Sequence, residues 1–590
     1  MLSSSHTIIR RRETPSDFDW PDCSLPRSLQ RLLAARGVRT VHELDYSLRN
    51  LPAFQELLGM DCAVDLLAQA IISDQRLLVI ADFDADGATG CAVAVRGLRL
   101  LGARAVEYLV PDRFKHGYGL TPALAELAAA RAPDVLITVD NGIASVAGVA
   151  TAKQLGMRVV ITDHHLAGEQ LPSADAIVNP NQPGDPFPFK HMAGVGVMFY
   201  VLSALRARLR DAGWFRARVV SEPNLAQLLD LVALGTVADV VKLDYLNRML
   251  VEQGLRRIRQ GQCCAGIQAL LQISGRHQAT LAANDLGFYL GPRINAAGRM
   301  ENMSYGIECL LTDNFDTALQ MAANLDVINQ ERRGVEEMMR EEADHALAAM
   351  HLEQQDGAFP LGLCLYDENW HEGVIGLLAS KVKETYHRPV AVLTVAQENP
   401  THLKGSCRSV PAIHIRDVLA DIDAHAPGLL LRFGGHAMAA GLTLHRAGLA
   451  RFQQAFDETV RRHFNGTTPQ GIIDSDGELP LSDFTVEYAQ FLRLATPWGQ
   501  GFPEPVFDGI FIVKDHKLLK EKHVKLHIHP ENSSTNLVAI VFNAPEIAAW
   551  ARPGQRARLA YRLDINRFRG DESLQLVVQH VEPVENHTTA

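Results

Sequence analysis

The stretch Leu77-Leu78-Val79-Ile80-Ala81-Asp82-Phe83-Asp84-Ala85-Asp86-Gly87 runs five apolar residues straight into three alternating aspartates and a glycine. A short, continuous apolar run that ends in a polar turn reads as a strand buried on both faces, the kind that parallel sheets use. Gly87 permits a tight turn into a helix, expected from about Thr89 to Leu101. The same design recurs twice further on: Val135 to Val139 leads into Asp140, and Val159 to Thr162 leads into Asp163-His164-His165. In an open α/β sheet ligands bind at the carboxyl ends of the strands. Three clusters of carboxylate and imidazole therefore converge on one crevice.

Strands near Val106 to Val110 and Ala176 to Val178 fill out the sheet. Helices at Pro122 to Ala130, Ser145 to Leu155, Val197 to Leu209 and Leu225 to Ala238 alternate with it, so the fold class is α/β with a doubly wound parallel sheet. Five regions follow: an N-terminal extension over 1–50, a catalytic α/β domain over 51–315, a connecting helix over 316–350, a second α/β domain over 351–464 and a β-barrel over 465–590. The connecting helix is dense in Glu and Arg from Glu331 to Glu342, as a solvated strut between domains is, and Gly334 is its weak point. The second domain alternates strand Leu361 to Tyr366, helix Gly373 to Lys383, strands Val390 to Val395 and His402 to Cys407, and helix Ile413 to Ile422. Asn465-Gly466-Thr467-Thr468-Pro469 reads as a linker. Beyond it, Ile472 to Asp474, Val506 to Val513, His523 to His529, Leu537 to Phe542, Arg556 to Ile565 and Leu574 to Val581 are short β-like runs without a long apolar helix. Five or six such strands fit a small barrel of the OB type.

The 590 residues are too many for one core, and an apolar content of 47% is that of a folded protein. No apolar stretch is long enough to cross a membrane, and Arg10 to Arg12 lead into no apolar core of a signal peptide. The eight cysteines form no C-x-x-C pair, so a reduced, cytoplasmic protein is expected. The net charge of −11 excludes a generally basic chain, yet between Asp508 and Gly570 eleven Lys or Arg face six Asp or Glu.

Aspartates 82, 84 and 86 cannot share one face of a helix, but on an irregular strand-end loop they can surround a cation. The run is not a calcium loop, because position 12, where a bidentate Glu belongs, is Val93. Oxygen ligands with an imidazole suit Mg²⁺ or Mn²⁺. Two such ions about 3.5–4 Å apart clamp a phosphoryl centre and activate water. Asp140, alone on the middle strand end, is the expected bridge between them.

Asp82-Phe83-Asp84-Ala85-Asp86-Gly87, Thr138-Val139-Asp140-Asn141-Gly142, Asp163-His164-His165 and Gly235-Thr236-Val237-Ala238-Asp239 resemble, in order, the four motifs of the DHH phosphoesterase superfamily. Asn295-Ala296-Ala297-Gly298-Arg299, Trp370-His371-Glu372-Gly373-Val374-Ile375-Gly376, Ser406-Cys407-Arg408-Ser409 and Gly434-Gly435-His436 resemble its RecJ branch with a DHHA1 domain. The pyrophosphatase branch begins its first motif with a histidine; here Leu78 and Ile80 precede the aspartates, which places the chain with the nucleases. The resemblance implies a 5′→3′ exonuclease that degrades single-stranded DNA to 5′-mononucleotides by two-metal hydrolysis, in recombination and mismatch repair. It implies two ions, Mg²⁺ or Mn²⁺, one held by Asp82, Asp84 and Asp140 and the other by Asp86, Asp140, His164 and Asp239, although which aspartate serves which ion stays open. Asp84, Asp140, His164 and His165 form the implied catalytic set, with His165 on the scissile phosphate.

Arg299, Arg408 and His436 stand among small residues where a backbone can approach a phosphate, and Arg offers a planar fork to its oxygens. With His165, His371, Ser409, Gly434 and Gly435 they make up the implied substrate-binding set. On the barrel, Arg552, Arg556, Arg558, Arg562, Arg567 and Arg569 are expected backbone contacts, and Phe511, Tyr561 and Phe568 expected stacking surfaces. The expected partners are single-stranded DNA, a single-strand-binding protein and a helicase, around a monomer. Two rival readings are a phosphodiesterase for short oligonucleotides or cyclic dinucleotides, and an inactive single-strand-binding scaffold.

Overall fold

The computed structural model describes residues 7–584 apart from 16–17, 19, 21–22, 113–115, 354–358, 412, 465–469 and 569. Thr7–Arg11 forms β1, whose partner comes from the far end of the chain. The first α/β domain is built on five parallel strands, β2 (Leu77–Ala81), β3 (Val106–Leu109), β4 (Val135–Val139), β5 (Arg158–Thr162) and β6 (Ala176–Val178), in the spatial order β3-β2-β4-β5-β6. Every residue of β2 and β4 is buried, as their unbroken apolar character requires. From β2 the chain winds outward to β3 and then crosses back to β4, so the switch point lies between β2 and β4. Asp82 and Asp140 follow these two strands.

The helix after β2 starts earlier than the sequence pattern indicates. It is α1 (Ala85–Leu100), and Asp84 caps it by accepting a hydrogen bond from the Gly87 N–H at 3.0 Å. Asp86 thus sits in the first helical turn, and the three aspartates are not on one irregular loop. Helices α2 (Gly194–Asp211) and α3 (Leu229–Ala238) pack against α1. The connecting helix α4 (Phe315–Glu353) runs unbroken through Gly334. Its Ala318, Ala322 and Leu325 belong to the first domain's core, whereas Met339, Ala343 and Leu347 pack into the second domain.

The second domain carries a mixed sheet of β7 (Leu363–Tyr366), β8 (Val390–Ala396), β9 (Asn399–Arg408), β10 (Leu430–Gly435) and β11 (Ala439–His445), ordered β10-β11-β9-β8-β7 with only β7 and β8 parallel. The expected barrel strand at Ile472 to Asp474 is not part of the barrel. It lies in β12 (Gly471–Ser475), which pairs in parallel with β1, Thr7 opposite Gly471. Arg10 bonds Asp474 at 2.7 Å, and Arg36 forks onto Asp476 at 2.8 Å with both side chains 1% exposed, so the N-terminal extension is tied to the C-terminal region. The linker expected at Asn465 to Pro469 lies outside the described residues.

The closed barrel comprises β13 (Phe507–Leu519), β14 (His523–Pro530), β15 (Leu537–Val541), β16 (Arg556–Phe568) and β17 (Asp571–Val584) in the order β13-β14-β15-β17-β16. Phe511 and Tyr561 are not the stacking surfaces expected: they are 2% and 1% exposed and meet edge to face at 5.5 Å in the barrel core. Their strands alternate inward and outward, and both residues fall on the inward phase. No helix among the described residues is long and apolar enough to cross a membrane.

Candidate metal centre

Strand ends and helix termini deliver the acidic side chains. Asp82 ends β2, Asp84 caps α1, Asp86 lies in its first turn, Asp140 ends β4, His164 and His165 follow β5, and Asp239 ends α3. Asp86 is fully buried, and its carboxylate accepts from the Gly194 and Val195 N–H groups at 2.7 and 2.9 Å, the first turn of α2. A helix N-terminus thereby fixes its direction. Asp140 adopts φ 63°, a left-handed conformation that Asp tolerates better than most residues, and this turns its carboxylate into the crevice. Gly194 must remain glycine, since a Cβ there would lie 2.5 Å from Asp140 Oδ1.

The ligand atoms fall into adjoining groups whose members lie within 4.8 Å of one another: Asp82, Asp84 and Asp140; Asp86, His164 and Asp239; and Asp140, His164 and His165. His164 Nε2 lies 3.1 Å from Asp140 Oδ1, 3.5 Å from Asp239 Oδ2 and 3.9 Å from Asp86 Oδ2. The expected metal-binding residues are thus brought together, with Asp140 and His164 at the junction. Asp140 Oδ1, His164 Nε2 and Asp239 Oδ2 are buried and complete no hydrogen bond within the protein. Buried polar atoms left open in this way are costly unless something binds them. The donor set, carboxylate oxygens plus an imidazole nitrogen, fits hard divalent cations.

The electrostatics agree. Burial, reinforced by the Asp239 charge, pushes the Asp86 carboxyl up to about 7. Burial and then Asp84 push Asp239 up to about 7, and burial and then Asp86 hold Asp140 well above the usual carboxylate range. Burial lowers His164 and keeps it a neutral donor. At His165 burial opposes the charge but is outweighed by Asp163, and the imidazole is pushed up to about 9.

Asp163, which the sequence pattern groups with the two histidines in the converging cluster, is instead the anchor of this turn. Its oxygens accept from the N–H groups of Ile143, His164 and His165 and from the His165 ring at 2.7–3.1 Å, which leaves it no place among the cation ligands. Asn179 and Asn181 hold the carbonyls of His165 and His164. The Asn179-Pro180-Asn181 turn directly after β6 is the available signal in the sequence. Tyr118, also missed by sequence reasoning, places its hydroxyl 3.2 Å from the His165 ring. Asn295, within the Asn-Ala-Ala-Gly-Arg run, accepts from the Ala85 N–H at 2.9 Å and so steadies the start of α1.

The second domain closes over this centre. The His436 ring stands 6.4 Å from that of His165 at an interplanar angle of 22°. Gly434 faces open space, whereas Gly435, at φ 144°, has no room for a Cβ against Ala439 and Ala440. The turn at His371 to Gly373 packs on the backbone at Arg299, and Gly298 abuts the Phe83 carbonyl, so Arg299 lies between the aspartate run and the second domain. His371 Nδ1 accepts from the Gly373 N–H at 3.1 Å. Arg408 donates to Ser380 Oγ, Ser406 Oγ and the Cys407 carbonyl at 2.9–3.2 Å, and burial lowers its pKa. Among the described residues no carboxylate pairs with it. Ser409 is buried and donates to the Ile413 carbonyl at 2.7 Å, a structural bond that turns it away from any ligand.

Four of the barrel arginines expected to contact the strand are already partnered, whereas Arg552 is exposed and forms no ion pair among the described residues. Arg556 pairs with Glu531, Arg558 with Asp508 at 2.8 Å, Arg562 with Glu504 at 2.7 Å and Arg567 with Glu572 at 2.7 Å. Arg562 and Arg567 line a cavity of about 590 Å³ between the barrel and the first domain, shared with Arg276, Phe288 and Arg493. Arg569 lies outside the described residues, as does the side chain of Phe568.

Three family models match this chain: DHH family, N-terminal domain, over residues 76–236; DHHA1 domain over 361–462; and RecJ OB domain over 475–580. The single-stranded-DNA-specific exonuclease RecJ of Dickeya dadantii (strain 3937) is 49% identical over 98% of this chain and 99% of its own, and that of Escherichia coli is 48% identical over the same shares. The crystal structure of RecJ in complex with Mn²⁺ from Thermus thermophilus superposes with a TM-score of 0.76 at 28% identity, covering 94% of this chain and 76% of that one. An α/β domain with a parallel sheet, a second domain of DHHA1 type and a terminal OB barrel, in this order and at this identity, identify the chain as a member of the RecJ family.

Proposed function

We propose that this chain is a metal-dependent exonuclease that degrades single-stranded DNA from its 5′ end to mononucleotides. The observation that carries the reading is the pair of adjoining ligand groups that meet at Asp140 and His164, with a protonated His165 beside them. Asp82, Asp84 and Asp140 would hold one divalent cation, and Asp86, His164 and Asp239 the other, with Asp140 reaching both. Mg²⁺ and Mn²⁺ suit these donors, and the T. thermophilus relative was crystallised with each. A bound pair of such ions neutralises the phosphoryl oxygens and stabilises the attacking and leaving oxygens of an in-line displacement.

The chain's own groups do the positioning. His165, fixed by Asp163, presents a positive charge to the scissile phosphate. His436 faces it from the second domain, and Arg408, a buried cation without a carboxylate, is the group there best suited to a phosphate. The 5′ polarity, the role in recombination and repair, the cytoplasmic location and a monomer working beside a helicase and a single-strand-binding protein complete the reading. They draw their support from the family. Boundaries at 51–315, 316–350, 351–464 and 465–590 remain our division of the chain.

The test incubates the protein with 5′- and 3′-labelled single strands, duplex and dinucleotide, with Mg²⁺, Mn²⁺ or EDTA. Release of labelled mononucleotide first from the 5′ label, on single strands only and abolished by EDTA, is expected. Equal attack on duplex, preference for dinucleotides, or binding without cleavage would replace the reading.

A further inference from the structure

Asp239 differs from the other acidic residues of the centre in how it is held. Asp86 and Asp163 are fixed by hydrogen bonds to their carboxylates, whereas Asp239 Oδ2 is buried and held by none. Its aim therefore rests on the backbone. Directly after it, Val240 adopts φ 63° while 62% exposed, so it gains no packing from the bend it makes. A left-handed conformation at a β-branched residue is strained, and it persists only where the surroundings over-determine it.

Those surroundings grip the two residues that follow Val241. The Lys242 carbonyl accepts from Asn247 Nδ2 at 2.8 Å, and the Leu243 carbonyl accepts from Arg248 Nη1 at 2.9 Å. The Leu243 N–H donates to the Gln500 carbonyl at 2.8 Å. Gln500 belongs to the run Trp498-Gly499-Gln500-Gly501-Phe502, which lies just before β13, the first barrel strand. Gly499 and Phe502 exchange backbone hydrogen bonds at 2.9 and 3.0 Å, and Gly501 at φ 69° closes the turn. Trp498 and Phe502, 2% and 1% exposed, stack behind it at 5.4 Å.

The turn is braced from both sides. Arg248, which holds the Leu243 carbonyl, also lies over the Phe502 ring at 4.2 Å. The Trp498 indole donates to the Leu492 carbonyl at 2.7 Å, in the helix Val486–Leu494 that packs on β16 and β17. Gly499 has no room for a side chain, because a Cβ there would lie 2.6 Å from Leu243 Cδ1. A continuous set of close contacts thus runs from the barrel through this turn to the segment that bends away from Asp239.

We propose that the Trp498–Phe502 turn is a positioning element for Asp239, and that through it the cation site of Asp86, His164 and Asp239 depends on the seating of the barrel. Freed of the turn, the strained bend at Val240 relaxes and the carboxylate leaves its place 3.5 Å from His164 Nε2. The inference rests on the nuclease reading for the presence of a cation there.

The test compares the full chain with Gly499→Ala, Leu243→Ala and the double variant, and uses Gly334→Ala as control. Mn²⁺ binding is titrated by the electron paramagnetic resonance of the free ion, beside thermal midpoints in EDTA and hydrolysis of a dinucleotide. The parent and the control should bind two ions. Gly499→Ala should hold one as the parent does and the other about 10–100-fold more weakly, the usual loss when a partner behind a ligand is disturbed. Its kcat on the dinucleotide should fall by a similar factor with KM less affected. Leu243→Ala removes the atoms that the new Cβ meets, so the double variant should bind the second ion about as well as Leu243→Ala alone. Should Gly499→Ala not fold, Arg248→Lys replaces it: a cation remains over Phe502, the hold on the Leu243 carbonyl is lost, and the same ion should weaken about tenfold. Parent-like Mn²⁺ affinities in a variant whose midpoint in EDTA has dropped, no recovery in the double variant, or a loss of hydrolysis confined to long strands overturns the proposal. A parent that binds no Mn²⁺ overturns the metal-dependent reading itself.

Discussion

Asp140→Asn separates what the acidic centre does for catalysis from what it does to stability, and the two should move in opposite directions. Asparagine keeps the shape of the side chain and tolerates the left-handed backbone at φ 63°, where alanine would add strain of its own. In the ion-free protein the Asp86 and Asp239 carboxyls rise from the ordinary 3.8 to about 7, with burial the largest cause and neighbouring carboxylates the next. A rise of this size corresponds to about 4 kcal/mol for one buried group forced to ionise. Asp140 is itself held well above the usual carboxylate range, by burial first and then by Asp86, Asp84, Asp239 and Asp82, so replacing it with a neutral amide removes its own unfavourable ionisation, roughly 1–3 kcal/mol, while the remaining groups are still desolvated. For a domain of this size that is a gain of roughly 2–4 °C in thermal midpoint per kcal/mol.

The sign with pH follows from the direction of the shift. A carboxyl whose folded pKa is raised supports folding fully below its unfolded pKa and loses that support as pH rises through the folded value. In EDTA the parent should therefore lose stability relative to the variant as pH rises from about 4, the unfolded carboxyl value, through the raised folded value of Asp140, with a gap open at about pH 8. Mn²⁺ should raise the parent's midpoint and leave the variant's nearly unmoved, by mass action on a site only the parent has. Release of mononucleotides should fall at least ~10²–10³-fold, the usual loss when one electrostatic stabiliser is removed. The assay is thermal denaturation at about pH 5 and about pH 8, in EDTA and in Mn²⁺, beside strand hydrolysis. A variant less stable than the parent at the higher pH in EDTA, or one that Mn²⁺ stabilises equally, would refute the reasoning.

Gly194→Ala brings a Cβ to 2.5 Å from Asp140 Oδ1, so it should leave the circular dichroism spectrum unchanged while reducing hydrolysis about 10–100-fold; Gly334→Ala, on α4 with nothing near the added Cβ, is its control. His436→Ala removes one charge-assisted contact from the second domain, about 1.5–3 kcal/mol, and should lower kcat/KM roughly 10–100-fold without changing the Mn²⁺-dependent rise in midpoint. Asp476→Ala leaves the buried Arg36 guanidinium uncompensated and should destabilise the protein by about 3–5 kcal/mol by chemical denaturation, while Arg36→Leu/Asp476→Leu should cost much less.

Most of the metal centre is legible in the sequence because Asp82, Asp140 and the two histidines follow apolar runs that read as buried strands, and buried parallel strands have one end at which chemistry collects, whereas Asp239 ends a helix and is reached only through the family resemblance. The limits of that reading are physical. The pattern puts Asp86 on a loop because capping by Asp84 depends on where the helix starts, and neighbouring residue types do not settle that start. Asp163 reads as part of the metal cluster beside two histidines, yet its four accepted hydrogen bonds depend on the fold of the turn. Phe511 and Tyr561 pass for surface aromatics because the phase of a strand's alternation cannot be known before its partners are. The pairing of β1 with β12 joins segments 464 residues apart and leaves no local periodicity to detect.

The barrel shows most clearly how a charge count misleads. Eleven cations over residues 508–570 suggest one basic surface, but a cation binds an outside anion only if no carboxylate of the fold reaches it first. Arg558 meets Asp508 from the neighbouring strand β13 and Glu582 from the neighbouring strand β17. The metal centre obeys the same rule with the sign reversed, because Asp163 is satisfied by the protein whereas Asp140 and Asp239 each keep an oxygen that the protein does not satisfy. What marks a functional charge is the absence of an internal partner where burial makes that absence expensive, and partners are a property of the fold.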